Sequence, residues 1–217
     1  MKPDYPRARL HTRIGLMLAG WGTVGLCYSV GRLTPHVAHV LNEGILDTLV
    51  PFDASAVWLY LSFFLLVPAA YLFAAPDRLT PLTRSMQLSA AVAGAVFLAW
   101  PTTIVYPAIP PATIGGTVLT ALAGADSPRN CLPSLHGALT LLCVVALWER
   151  KRPWRNAAVL VWGLAVMWSV VAARRHLSID LGAGVMLGAV CSWFATRQRA
   201  VEVPTEIEFN SSPENHP

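Results

Sequence analysis

Residues 126–148 read DSPRNCLPSLHGALTLLCVVALW, a polar, proline-broken approach that passes directly into an apolar run. From Cys131 to Trp148 the run carries no Asp, Glu, Lys or Arg and approaches the ~20 residues a helix needs to cross a bilayer core. The same pattern recurs on both sides, in apolar blocks at 14–31, 55–75, 86–106, 157–173 and 177–196. With the block at 131–148 this makes about six spans in 217 residues, and no soluble domain, internal repeat or long linker stands between them. Composition agrees: 54% of residues are hydrophobic, 13% are charged, and the mean hydropathy is +0.50. A water-soluble domain carries charge nearer a quarter of its residues, so the deficit calls for lipid as solvent. The expected fold is all-α, an integral membrane bundle of about six transmembrane helices occupying residues 1–200. The tail at 201–217 is polar and acidic, has little to bury, and is expected to be disordered on the cytoplasmic side.

The distribution of basic residues orients the bundle. Lys2, Arg7, Arg9 and Arg13, then Arg78 and Arg84, then Arg150, Lys151, Arg152 and Arg155, and finally Arg197 and Arg199 fall on one side, twelve in all. The other side has four: Arg32, Arg129, Arg174 and Arg175. The positive-inside rule then puts both termini in the cytoplasm of a multi-pass plasma-membrane protein. It also brings segments 107–136 and 174–180 to the same, extracytoplasmic face. The net charge of +4 and pI of about 9.1 come from residues lying between apolar blocks, not from a basic, aromatic-studded stripe, which argues against nucleic acid as a partner. The basic N-terminal segment precedes a long run with no small-residue cleavage site, so it reads as a retained first helix. Cys27, Cys131, Cys143 and Cys191 form no C-x-x-C pair and indicate neither a zinc site nor a disulfide framework. Nothing in the pattern specifies an oligomeric state.

Ionisable and polar groups at the edge of a membrane helix are costly, and each is a functional candidate for that reason. Two clusters open spans on the predicted outer face: Asp126, Arg129, Asn130, Ser134 and His136 before the fourth, and Arg174, Arg175, His176 and Asp180 before the sixth. His176 and Asp180 are four apart, so on a helix they share a face. A carboxylate on one imidazole nitrogen fixes the tautomer and leaves the other nitrogen basic, which makes a nucleophile. His136, at the same depth on another helix, is placed as a proton donor. Ser134 has the character of an N-cap, and Arg174 and Arg175 suit headgroup anchoring as well as phosphate contact. His36 and His39 have a spacing compatible with a metal pair, but lack further ligands and read as an interfacial face.

Pro133-Ser134-Leu135-His136 resembles the PSxH motif of the type 2 phosphatidic acid phosphatase (PAP2) superfamily. His176-x-x-x-Asp180, followed by Leu181-Gly182-Ala183-Gly184, resembles that superfamily's third motif. The wider string from Asp126 to His136 looks most like the branch of inositol phosphorylceramide synthases and their bacterial relatives. The resemblance implies catalytic roles for His136, His176 and Asp180: His176 attacks phosphorus, Asp180 orients it, and His136 protonates the leaving oxygen. It implies substrate contacts from Ser134, Arg129, Arg174, Arg175, Asn130 and Asp126. It further implies a lipid phosphate or phosphodiester as substrate, the bilayer as partner, and no metal or other cofactor, since the histidine is its own nucleophile. Two features depart from the superfamily. The first motif, a lysine followed after six residues by Arg-Pro, is missing, with Tyr106-Pro107 nearest in position, and the Ser-Arg pair upstream of the third-motif histidine reads Ser169-Val170. The loss of two guanidiniums favours a monoanionic diester, and transfer to a lipid hydroxyl, over a dianionic monoester. The competing expectations are a PAP2-like enzyme acting on an isoprenoid diphosphate, and a non-catalytic carrier or scaffold that kept the fold.

Overall fold

The computed structural model describes residues 9–110 and 113–201, with side chains to Arg197. The tail expected to be disordered therefore lies outside the described residues. The helices are α1 (Leu10–Gly31), α2 (Ile45–Thr48), α3 (Val57–Leu61), α4 (Phe63–Phe73), α5 (Pro76–Ala99), α6 (Ile114–Ala125), α7 (Leu135–Leu147), α8 (Pro153–Ala172) and α9 (Ser178–Val201). Two three-residue strands, β1 (His39–Leu41) and β2 (Thr102–Ile104), pair in parallel at one end of the bundle. Five segments are long and apolar enough to cross a bilayer: α1, residues 54–73 through α3 and α4, α5, α8, and α9 as far as Arg197. Their outer faces expose Leu18, Leu26, Leu65, Val161 and Met186, apolar surface that only lipid would cover. This is the membrane helical bundle expected from the apolar blocks.

The helix ends follow elementary rules. Pro76 and Pro153 take the first position of α5 and α8, where a missing N–H costs nothing. At the end away from the strands, arginines cover orphan carbonyls at helix C-termini, where the dipole is negative. Arg13 donates to Tyr71 O and Ala74 O at 2.7 and 3.0 Å, and Arg155 to Phe73 O at 2.9 Å. Arg78 donates to Val145 O at 3.0 Å and also to Trp148 O.

The fourth apolar block departs from a full-length span. Its helix, α7, has 13 residues, about 20 Å at the α-helical rise, well short of a bilayer core. Residues 131–134 are held as loop instead. Cys131 N donates to Thr102 O at 3.3 Å, Leu132 N to Thr102 Oγ1 at 2.7 Å, and the Leu132–Pro133 bond is cis. The Pro- and Gly-rich segment before it contains α6, a 12-residue apolar helix too short to span. Thr113 caps α6 by accepting from Gly116 N at 3.0 Å, and a Cβ at Gly116 would sit 2.0 Å from Pro110 O.

Two features bring α7 and α9 into backbone contact. Gly184 and Gly188 lie one turn apart on α9, the small-xxx-small spacing that lets membrane helices approach closely. A Cβ at Gly184 would lie 1.9 Å from Ser134 O, and one at Gly188 2.8 Å from Ala138 O. Ser134 N donates to Asp180 O at 2.9 Å, which sets the register of the two helix starts. Gly184→Ala is expected to lower unfolding stability in detergent by about 1–3 kcal/mol through overpacking. Gly182→Ala, whose Cβ would meet nothing within 4 Å, is the matched control and should leave thermal unfolding unchanged.

Candidate active site

The turn between α8 and α9 determines where His176 stands. Arg174 has φ of 48°, the left-handed region, and occupies the position just past the helix end. Arg174 N donates to Val171 O at 2.9 Å and Arg175 N to Val170 O at 3.0 Å, the paired bonds of a Schellman stop. A non-glycine residue there costs about 1–2 kcal/mol. The Arg174 side chain offsets that cost by donating to Val171 O at 3.0 Å and Asp47 O at 2.9 Å and by pairing with Glu43 at 3.1 Å. Asp47, fully buried, accepts from Ser178 N at 2.6 Å and from the Ser178 hydroxyl at 3.0 Å, so it caps α9 from another element.

His176 consequently lies two residues before α9, not on its face, with Asp180 in the first turn. They nevertheless meet: His176 Nδ1 and Asp180 Oδ2 are 2.8 Å apart, and Asp180 is fully buried. His136, one residue into α7, brings Nδ1 to 3.3 Å from His176 Nε2. An ionised Asp180 accepts only, so the proton between it and His176 sits on His176 Nδ1. His176 Nε2 is then a lone pair, and His136 Nδ1 is the donor to it. The three groups form a chain, Asp180 to His176 to His136, with a single consistent set of tautomers. The His136 ring is flanked by Tyr60 and Phe63, at centroid distances of 4.9 and 4.8 Å. Both histidines line a cavity of about 240 Å³ whose other walls include Trp21, Phe64, Leu122, Asp126 and Asn130.

Asp126 lies 2.9 Å from Arg175 and accepts from the Tyr28 hydroxyl. Burial raises its carboxyl pKa, but the Tyr28 hydrogen bond and the Arg175 charge outweigh burial and hold it below the ordinary 3.8. Arg175 also lies over the Tyr106 ring at 5.0 Å, and its Nε is buried with no hydrogen-bond partner among the described residues. Asn130 donates to Tyr28 O at 2.8 Å, and its buried Oδ1 likewise has no partner.

The structure thus gathers His136, His176, Asp180, Asp126, Asn130 and Arg175 at one end of the bundle. Three other candidates are engaged elsewhere. Arg174 is tied to Glu43 and Asp47, exposed Arg129 donates to Thr34 O at 3.2 Å, and buried Ser134 caps α7 by accepting from Gly137 N at 3.4 Å. His39 packs edge-on against Trp100 at 5.6 Å. Among the described residues, the one set with ligating side chains is Cys131, His176 and Asp180, whose donor atoms lie within 4.8 Å of one another. The His176–Asp180 hydrogen bond already joins two of the three. Sequence reasoning missed Tyr28, Tyr60, Phe63 and Thr102. A tyrosine inside an apolar span was a signal, since its hydroxyl needs a partner when buried.

A helical membrane bundle with two imidazoles and a carboxylate chained at one end fits the class of integral-membrane enzymes of phosphatase type. The family profile described as PAP2 superfamily matches residues 12–203, and the chain belongs to that superfamily. A comparison with curated proteins found no match. Membership carries phosphoester hydrolase or phosphotransferase activity as the expected chemistry.

The Asp126–Arg175 pair yields a pH signature. Because the Asp126 pKa is depressed on folding, its contribution is fully present above 3.8 and is lost only as pH falls below that value, through the depressed pKa. Asp126→Asn should lower stability at neutral pH and flatten the acid limb of a stability-versus-pH curve below about 4. An acid limb unchanged from wild type would show that the pair is not formed.

Proposed function

We propose that this protein cleaves or transfers a lipid phosphoester through a phosphohistidine on His176. The observation that carries the reading is the Asp180–His176–His136 chain, which leaves Nε2 of His176 as a lone pair at the edge of an apolar cavity. His176 Nε2 attacks phosphorus while the bond from phosphorus to the leaving oxygen breaks. His136, protonated as the phosphate anion enters, gives its Nδ1 proton to that oxygen and becomes neutral. Water or a lipid hydroxyl then loses its proton to His136 and attacks phosphorus, and the P–N bond breaks. The proton on His176 Nδ1 stays with the Asp180 hydrogen bond throughout. Splitting one slow displacement in two eases each step, and hydrogen-bond donors around phosphorus lower what remains. Arg175 Nε is the buried donor without a partner close to these groups.

The charge around the site favours a monoanionic diester substrate and transfer to a hydroxyl, as in the inositol phosphorylceramide synthase-like branch. Asp126 offsets Arg175, Arg174 is held by Glu43 and Asp47, and Arg129 is exposed. A dianionic monoester wants more positive charge than this. The basic residues counted along the chain support placing the site in the extracytoplasmic leaflet of the plasma membrane.

Purified protein incubated with a panel of headgroup-labelled lipid diesters and monoesters should give an acid-labile, base-stable phosphohistidine with at least one diester. His176→Ala should abolish it, and wild-type turnover in that variant would sink the assignment. Asp180→Asn, which keeps shape but inverts the tautomer, should lower turnover by about three to four orders of magnitude. Mass spectrometry of products with and without an acceptor lipid separates transfer from hydrolysis.

A further inference from the structure

A crevice opens at the opposite end of the bundle from the histidines. There the first turns of α5 and the last turns of α7 and α9 come together around it. The crevice has a volume of about 640 Å³ and is walled by Pro81, Leu82, Leu142, Val145, Ser192 and Thr196. It adjoins a second cavity of about 1040 Å³, with Asp77, Arg78, Ala146 and Trp148 lining both. The walls of the second cavity include Arg78, Arg150, Lys151, Arg152 and Arg155 against Asp77 and Glu149. Arg78 is taken up by the carbonyls ending α7, and Glu149 is shared by Arg152 and Arg155 at 3.3 and 2.9 Å. Arg150 and Lys151 are exposed and form no ion pair among the described residues.

We propose that this composite cleft binds one anionic phospholipid from the leaflet opposite the histidine site. The apolar crevice takes an acyl chain between α5, α7 and α9. The headgroup phosphate lies on Arg150, Lys151 and Arg152. A phospholipid fits both halves, because the groove is apolar and continuous with a basic mouth, and pockets of this size bury a ligand of that class. Lys and Arg beside a membrane attract anionic lipid, and each contributes several-fold to its local enrichment. Trp148 and Trp154, exposed beside the mouth, are suited to the headgroup level.

The test uses the full chain in phosphatidylcholine nanodiscs containing a minor fraction of phosphatidylglycerol, with retained lipid read by native mass spectrometry after transfer to detergent. Wild type should keep one phosphatidylglycerol, enriched about tenfold or more over its share of the disc. Arg150→Gln/Lys151→Gln/Arg152→Gln should remove the enrichment. Ser192→Phe, which fills the crevice and leaves every basic residue, should remove it too. No enrichment in wild type overturns the proposal, as does a triple variant that keeps it. Retention unaffected by Ser192→Phe, or displacement of the lipid by millimolar glycerol 3-phosphate, would reduce the cleft to a surface anion patch and equally overturn it. None of these readouts depends on histidine chemistry.

Discussion

Everything at the histidine end rests on how closely the backbones of α7 and α9 approach. Two helices carrying ordinary side chains pack 8–10 Å apart, too far for short side chains at their starts to share one geometry reliably. Here Gly184 and Gly188 let Ser134 and Ala138 of the partner helix come to backbone contact, and Ser134 N bonds to Asp180 O. That bond links the residue two before His136 to the residue that orients His176. Apolar burial gives little preference for helix association inside lipid, so small-residue contact and hydrogen bonds of this kind must set the register. The site is therefore a by-product of a packing choice made one helical turn below it.

The second constraint is charge. A buried guanidinium without a counter-ion is expensive, and the fold supplies one to each arginine it draws inward: Asp126 for Arg175, Glu43 and the Asp47 carbonyl for Arg174. This explains how two adjacent arginines in sequence come to play different parts. The left-handed backbone at Arg174 turns its side chain back over the end of α8, while Arg175 faces Asp126 and Tyr106. Arginine at a position that usually belongs to glycine is thus a structural device, a self-capping helix stop whose side chain also reaches the cap of the next helix. The stop is what delivers His176 to the mouth of α9.

Much of this was legible in the residues, and the exceptions have physical causes. Apolar blocks marked the bundle because lipid enforces long uninterrupted runs, and the i, i+4 spacing of His176 and Asp180 anticipated their contact even though His176 sits just ahead of the helix. The helix α6 escaped notice because Gly115, Gly116 and the prolines before it read as breakers, whereas Gly116 is required by the close approach of Pro110 O. The length of α7 was overestimated because residues 131–134 are as apolar as a helix. Cys131 N and Leu132 N find their partners on Thr102, about thirty residues earlier in sequence, and no local pattern announces that. Tyr28 and Asp47 were hidden for the same reason: each acts on a distant element, Tyr28 on Asp126 and Asp47 on Ser178.

The contact between the two imidazoles bears on how the site must move. With Nδ1 of His136 only 3.3 Å from Nε2 of His176, no phosphorus atom fits between them as they stand. The proposed reaction therefore exchanges an imidazole hydrogen bond for a phosphoryl group at the same nitrogen. His176 is anchored by buried Asp180, so the ring that yields is half-buried His136, which is held by the faces of Tyr60 and Phe63 and not by a second hydrogen bond. Aromatic contacts have weak directionality and let a ring slide, whereas a charge-assisted hydrogen bond of 2.8 Å does not. The site thus divides its histidines by the stiffness of their supports. In the proposed mechanism the nucleophile stands on a hydrogen bond to buried Asp180, and the proton carrier rests in an aromatic cradle that allows it to follow the oxygen it protonates.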